Sequence, residues 1–151
     1  MRYPIAAVIG LAAAVPPGTQ TSPDLGTATP IAGSWSYGAA SDGSEATFAS
    51  YGSPVQLWIR CARATRRVSI AKPAATAAPF LNIWTSAQTR NVPANFDPAT
   101  GRITAELGAY DSLLDGLANS RGRVGFTTGP QPSLVLPAWP EIARVIEDCR
   151  A

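Results

Sequence analysis

The sequence contains no histidine and only one lysine, Lys72, among its twelve basic residues. Histidine is the most common general base, the usual activator of a serine or cysteine nucleophile and the most common metal ligand. The two cysteines cannot fill a tetrahedral zinc site by themselves. The sequence therefore predicts no metal site and no cofactor, and it assigns no catalytic residue.

Charge is scarce as well. Only 15% of the residues are charged, and the formal net charge of +2 falls to +1 if an N-terminal segment carrying Arg2 is removed. So small an excess predicts no affinity for nucleic acid. The chain has 151 residues, of which 46% are hydrophobic, and this is enough for one domain around a single core.

The apolar run near the N-terminus, residues 5–11, is too short to span a membrane, which takes about 20 residues. It follows Arg2 and precedes the small residues 12–14, which is the order of a secretory signal. We therefore predict a signal peptide over residues 1–14, no transmembrane segment in the mature chain, and a periplasmic or secreted location. A buried N-terminal helix is the alternative. The preference for arginine and the abundance of alanine are typical of a bacterium with a GC-rich genome.

Residues 15–32 are rich in proline, threonine and glycine and show almost no hydrophobic periodicity, which predicts a flexible linker. The folded part is then a single β domain over residues 33–151. In this part, short runs of alternating apolar and polar residues are separated by turn residues. Such runs are typical of antiparallel strands, and the segment 54–61 is the clearest of them.

Helical spacing replaces this alternation in residues 110–119 and again after Pro140. Pro140 suits the first turn of a helix, and Glu141 suits the positive end of its dipole. We therefore predict a mostly β fold, an antiparallel sandwich or small barrel of about seven or eight strands. One short internal helix and one C-terminal helix complete it.

The two cysteines, Cys61 and Cys149, fall on the inward faces of a predicted strand and of the predicted C-terminal helix. In an exported protein, such a pair predicts a disulfide that ties the C-terminus to the sheet. Two free buried thiols are the alternative.

Arginines cluster at the first predicted hairpin, where Arg60, Arg63, Arg66 and Arg67 lie within eight residues. Guanidinium groups bind carboxylates and other anions, so this cluster predicts contact with an envelope protein or an acidic polymer. A solvated basic turn is the alternative. A second pair, Arg121 and Arg123, flanks a glycine that permits a tight turn, and a plain turn is again the alternative.

Two tryptophans, Trp58 and Trp84, fall on the faces of their strands opposite the main apolar residues. They could stack on a ligand or form part of a partner surface. Alternatively, a second sheet or the C-terminal helix covers them.

The strand at 54–61 (PVQLWIRC) and the terminal segment 139–150 (WPEIARVIEDCR) carry a resemblance. The layout resembles small uncharacterised exported bacterial proteins in which a Leu-x-(Ile/Leu)-Arg-Cys strand pairs with a cysteine in the last helix. It is more distantly similar to small β-barrel inhibitors of periplasmic lysozymes or metalloproteases. No inhibitory loop of those families matches residue by residue, so the resemblance implies a fold and a compartment only.

Three classes of function follow from these observations. The first is a non-enzymatic envelope protein that binds a macromolecule, as an inhibitor or assembly factor. The second is a carrier of a small ligand, with Leu57, Ile83 and Phe126 lining a barrel cavity. The third is a small hydrolase that uses a Ser-Lys pair or two carboxylates, and it ranks last because no nucleophile motif is present.

Overall fold

The computed structural model describes residues 24–151, so the predicted signal peptide and the first part of the predicted linker lie outside the described residues. The described part is mostly β, as predicted, and contains nine strands and two helices. Their bounds are β1 (Ser34–Ala40), β2 (Gly43–Ala49), β3 (Val55–Ala62), β4 (Arg67–Pro73), β5 (Phe80–Trp84), β6 (Thr89–Asp97), β7 (Arg102–Gly108), α1 (Ser112–Ala118), β8 (Arg123–Thr127), β9 (Leu134–Pro137) and α2 (Pro140–Arg150).

All strand pairs are antiparallel, and the strands form one sheet in the order β1-β2-β3-β4-β7-β6-β5-β8-β9. The sheet curls into a half-barrel. Its two edge strands, β1 and β9, come close together. Just before β1, the backbone N–H of Ile31 donates to the carbonyl of Val135 in β9 at 3.0 Å. The indole N–H of Trp35 in β1 likewise donates to the carbonyl of Pro137 in β9 at 2.8 Å. These contacts partly cover the unpaired strand edges, which would otherwise be open to pairing with other chains.

One strand, β6, raises the count above the seven or eight that alternation predicts. Its segment contains Pro93 and three polar amide or guanidinium side chains, which obscure the alternation of the inward Val92, Ala94 and Phe96 with exposed residues. The strand changes partner at this proline: Thr89–Pro93 pair with β5, and Ala94–Asp97 pair with β7. A proline cannot donate to a sheet ladder, and a change of partner is a position that tolerates this loss.

The concave face of the sheet is filled by apolar side chains and by the two helices. Phe48, Leu57, Ile83 and Phe126 are fully buried and belong to one continuous core. Helix α2 covers β1 to β4 and buries the stripe Ile142, Val145, Ile146 and Cys149. Helix α1 begins after Asp111, whose side chain accepts a hydrogen bond from the backbone N–H of Leu113 at 2.8 Å, a typical N-cap.

The predicted disulfide is present. Cys61 of β3 and Cys149 of α2 are bonded, with their Cα atoms 5.4 Å apart, and both residues are buried. The bond links positions 88 residues apart, and closing a loop of that length stabilises a folded chain by about 4 to 5 kcal/mol in the chain-entropy model. It therefore fixes the last turn of α2 to β3.

Residues 24–32, the described part of the predicted linker, lie against the domain. Leu25 is buried next to Gly125 of β8. The guanidinium of Arg123 donates to the carbonyl of Ala28 at 2.6 Å. This segment therefore adds a short outer layer over β5, β8 and β9.

Within residues 24–151, neither helix is long and apolar enough to cross a membrane.

Candidate functional site

The four arginines of the first hairpin do not form one cationic surface. Arg60 lies on the convex face of the sheet, where its guanidinium pairs with Asp42 at 2.6 Å and with Glu45 at 3.8 Å. The hydrogen bond from Arg60 holds the pKa of the Asp42 carboxyl below its usual value. Arg67 faces Glu106 across β4 and β7 at 3.7 Å. Each of these two cations therefore already has a carboxylate partner.

The other two arginines of this hairpin differ from each other. Arg66 adopts a left-handed backbone conformation with φ of 49°, and its guanidinium donates to the carbonyl of Arg150 at 3.2 Å, so it holds the end of α2. Arg63 is exposed in the turn and lies near Asp148. A hydrogen bond from the Tyr37 hydroxyl, aided by the nearby arginines, holds the pKa of Asp148 below its usual value.

The second predicted pair is also divided. Arg123 anchors the N-terminal segment through the carbonyl of Ala28, as described above. Arg121 is exposed, and its backbone N–H donates to the hydroxyl of Ser86 at 2.9 Å. Gly122 lies between the two arginines with φ of 74°, which forms the tight turn that the sequence predicts.

Trp58 lies on the convex face of β3, and the guanidinium of Arg102 stacks on its ring, 3.6 Å from the ring centre. The two side chains border a shallow depression of about 260 Å³. Carboxylates and hydroxyls line the rest of it, including Glu45 and Asp97. This surface is polar and of mixed charge, and one face of the indole is already covered by Arg102.

Trp84 lies in a different environment, at the end of β5 on the convex side. Leu81 and Ile83 of the same strand are fully buried, whereas Asn82 and Trp84 point to the opposite face and are half-buried. Trp84 forms part of the wall of a cleft of about 430 Å³. The residues that line this cleft are Asp24, Leu25, Asn82, Trp84, Thr89, Thr127 and Ser133.

The strand register explains why polar groups lie together in this cleft. Asn82 of β5 is opposite Asn91 of β6 on one side and Thr127 of β8 on the other. Asn82 donates to the side-chain oxygen of Asn91 at 2.8 Å, and the hydroxyls of Thr127 and Ser133 are 2.8 Å apart. These four side chains form a continuous row of amides and hydroxyls, which we call the polar row.

The register also places Trp84 beside the polar row. Its cross-strand neighbours are Thr89 of β6 and Gly125 of β8. Because Gly125 has no side chain, Leu25 of the N-terminal segment can pack there, and a Cβ atom at Gly125 would lie 2.8 Å from Cδ1 of Leu25. The cleft thus has an indole and a leucine on one side and three members of the polar row on the other, Asn82, Thr127 and Ser133, whereas Asn91 lines a neighbouring groove.

Sequence reasoning identified Trp84 but missed the polar row, Arg102 and Lys72. The polar row depends on which strands are neighbours in the sheet. β5 lies between β6 and β8, and the alternation within a single strand does not show which strands it will pair with. Lys72 did carry a signal, because it continues the inward series of Val68 and Ile70 in β4. A charged residue at an inward position is rare unless it has a partner or a function.

Comparisons of the chain with protein-family models, with curated proteins and with solved structures gave no match.

Proposed function

We propose that this chain is an exported, non-enzymatic binding module that holds a saccharide chain of the bacterial cell envelope in the Trp84 cleft. The observation that carries the proposal is the indole of Trp84 lying directly beside the polar row. A sugar ring has an apolar face of C–H groups and a rim of hydroxyls. An aromatic face with adjacent amides and hydroxyls matches both features.

The cleft suits uncharged sugar residues. Asp24 is the one charged side chain among the residues that line it. Arg123, a predicted binding arginine of β8, already donates a hydrogen bond to the carbonyl of Ala28. An acidic polymer would need several unpaired cations on one surface. Arg60 and Arg67 are paired with carboxylates, and the exposed Arg63 and Arg121 lie in different connections of the chain.

The proposed compartment rests on the disulfide and on the N-terminal sequence. Disulfides persist in the periplasm and outside the cell, and they are rare in the bacterial cytosol. The bond between Cys61 and Cys149 supports an oxidising compartment. The signal-like order of residues 1–14 supports export by a cleaved signal peptide.

A second candidate is a protein partner on the convex face around Trp58 and Arg102. Tryptophan and arginine are the residue types most enriched at the centres of protein interfaces, and here they are stacked on each other. The balanced charges around them, with Glu45 and Asp97 beside Arg60 and Arg102, favour a partner with its own mixed charges.

The carrier and hydrolase hypotheses have less support. A carrier would need space around Leu57, Ile83 and Phe126, but all three are fully buried in the continuous core. A Ser-Lys nucleophile would need a hydrogen bond between its two members. In residues 24–151, the hydroxyl of Ser133 is bonded to Thr127, and the amine of Lys72 donates to the carbonyl of Pro73.

The test is binding of the mature domain to purified peptidoglycan sacculi and to soluble neutral oligosaccharides of glucose and N-acetylglucosamine. Trp84→Ala should weaken binding by about fivefold or more, because a stacked aromatic side chain at a binding centre contributes more than about 1 kcal/mol. Thr127→Val, which removes one hydroxyl of the polar row, should weaken binding to a smaller extent. Trp58→Ala is the matched control and should leave the affinity unchanged.

Two results would contradict the proposal. One is the absence of binding to every saccharide tested by a protein whose thermal melting shows it to be folded. The other is an equal loss of affinity in Trp84→Ala and Trp58→Ala, which would place the contact elsewhere. A loss confined to Trp58→Ala, measured with a protein partner, would favour the second candidate.

A further inference from the structure

Lys72 lies at an inward position near the end of β4. Its strand alternates Val68, Ile70 and Lys72 toward the concave side, and Lys72 pairs across the ladder with Ile103, which is fully buried. Only 6% of the Lys72 surface is exposed. The single lysine of the chain is therefore placed where the pattern calls for an apolar residue.

This buried amine has no carboxylate partner. None of the ion pairs formed among residues 24–151 includes Lys72. Its hydrogen bond is to the carbonyl of the next residue, Pro73, at 3.2 Å. Burial lowers the pKa of Lys72. Placing an unpaired charge at such a depth is costly, which is why buried charges are normally paired.

Lys72 borders a cavity of about 320 Å³ that is open to solvent. The other lining residues are Gln56, Pro73, Pro132, Ser133 and Leu134, and none of them is charged. The side-chain oxygen of Gln56 accepts hydrogen bonds from the backbone N–H and the hydroxyl of Ser50, at 3.1 and 2.8 Å. The amide N–H groups of Gln56 remain as donors.

We propose that this cavity is a second binding site that receives a carboxylate group, with the Lys72 ammonium as its counter-charge. A carboxylate carries one negative charge, which the single cation neutralises. Gln56 can donate hydrogen bonds to a carboxylate oxygen, and so can the hydroxyl of Ser133 when Thr127 is the donor in their shared hydrogen bond. The ammonium is more compact than the guanidinium that the chain uses at its other basic positions, which suits a residue as deeply buried as Lys72.

The site is separate from the saccharide proposal. Ser133 lines both cavities, but Trp84 and Lys72 line different ones. A carboxylate could come from a small acid or from an acidic group on a larger molecule. The experiment therefore begins with the smallest probes and then adds a larger one.

The single lysine makes the experiment direct. Lysine labelled with nitrogen-15 gives one side-chain resonance, and its chemical shift is followed while sodium propionate is added to the wild-type domain. The shift should change and saturate, and sodium chloride at equal ionic strength should not reproduce the change. At ten times the dissociation constant, bound carboxylate should raise the titration midpoint of Lys72 by about one pH unit.

A resonance that does not respond to propionate, or responds equally to chloride, would overturn the proposal. Glucuronate, which is a sugar acid, then distinguishes the sources: binding by propionate alone indicates a small acid, and tighter binding by glucuronate indicates an acidic sugar. Trp84→Ala should leave the propionate response unchanged, so failure of the saccharide proposal leaves this result interpretable. Lys72→Met should remove the thermal stabilisation that propionate gives to the wild type.

Discussion

At the scale of single residues, the candidate cleft depends on a missing side chain. Gly125 faces the convex side of β8 beside Trp84, and the space that a side chain would fill is taken by Leu25. The N-terminal segment is thereby held against the sheet, and it forms one wall of the cleft. A residue that touches no ligand thus determines the shape of the site.

Gly125→Ala tests this dependence. The new methyl group would lie 2.8 Å from Cδ1 of Leu25, so the leucine must move, and overpacking of this kind costs about 1 to 3 kcal/mol. We expect a lower melting temperature and faster proteolysis near Asp24. Gly38→Ala in β1 is the matched control, because a Cβ atom there meets nothing within 4 Å. Equal melting temperatures for the two variants would show that Leu25 does not pack as described.

The arginines of the first hairpin show, at the same scale, what sequence spacing can predict. Arg60, Arg63, Arg66 and Arg67 are close in sequence, but strand alternation and the turn send their side chains to different partners. Their clustering is compatible with both a solvated basic turn and an anion site. Whether a carboxylate lies opposite an arginine depends on the neighbouring strand, as it does for Glu106 and Arg67. That information is absent from a local pattern.

At the scale of elements, helix α2 is held by three kinds of interaction. Its apolar stripe packs on the concave face of the sheet, and the disulfide from Cys149 to Cys61 fixes its last turn. Arg66 adds a hydrogen bond to the carbonyl of Arg150. The helix is therefore the element whose stability depends most on the covalent bond.

Reduction of the disulfide, or Cys149→Ser, should destabilise the domain by up to about 5 kcal/mol. We expect α2 to open before the sheet does, because only Ile142, Val145 and Ile146 would continue to bury its apolar face. Hydrogen exchange under reducing conditions measures this order. The double variant with Cys61→Ser and Cys149→Ser is the control for unwanted thiol reactions. Exchange that rises equally in α2 and in β3 would contradict the expected order.

The elements differ in how far they could be predicted. Alternation located eight of the strands, and Asp111 and Pro140 marked the starts of the helices. The exception is β6, in which Val92, Ala94 and Phe96 alternate with exposed residues but Pro93 interrupts the run. A proline argues against a central strand, and only the change of partner from β5 to β7 at this position shows how the sheet accommodates it.

At the scale of the whole molecule, the half-barrel places two cavities near its β9 edge. The order β6-β5-β8-β9 brings residues from distant parts of the chain into the polar row. The turn between β8 and β9 separates the Trp84 cleft from the Lys72 cavity, and Ser133 borders both. The sequence predicted one β domain closed by a disulfide, but the positions of these cavities follow from the order of the strands.

The four tryptophans of the chain provide the most direct test of the central claim, because each has one indole N–H resonance. A soluble neutral oligosaccharide is added to the labelled domain while these resonances are recorded. The resonance of Trp84 should move and saturate. That of Trp35, whose indole N–H is buried and bonded to Pro137, should stay in place, as should that of Trp58 under Arg102. Saturable binding that leaves the Trp84 resonance unmoved would contradict the assignment of the cleft.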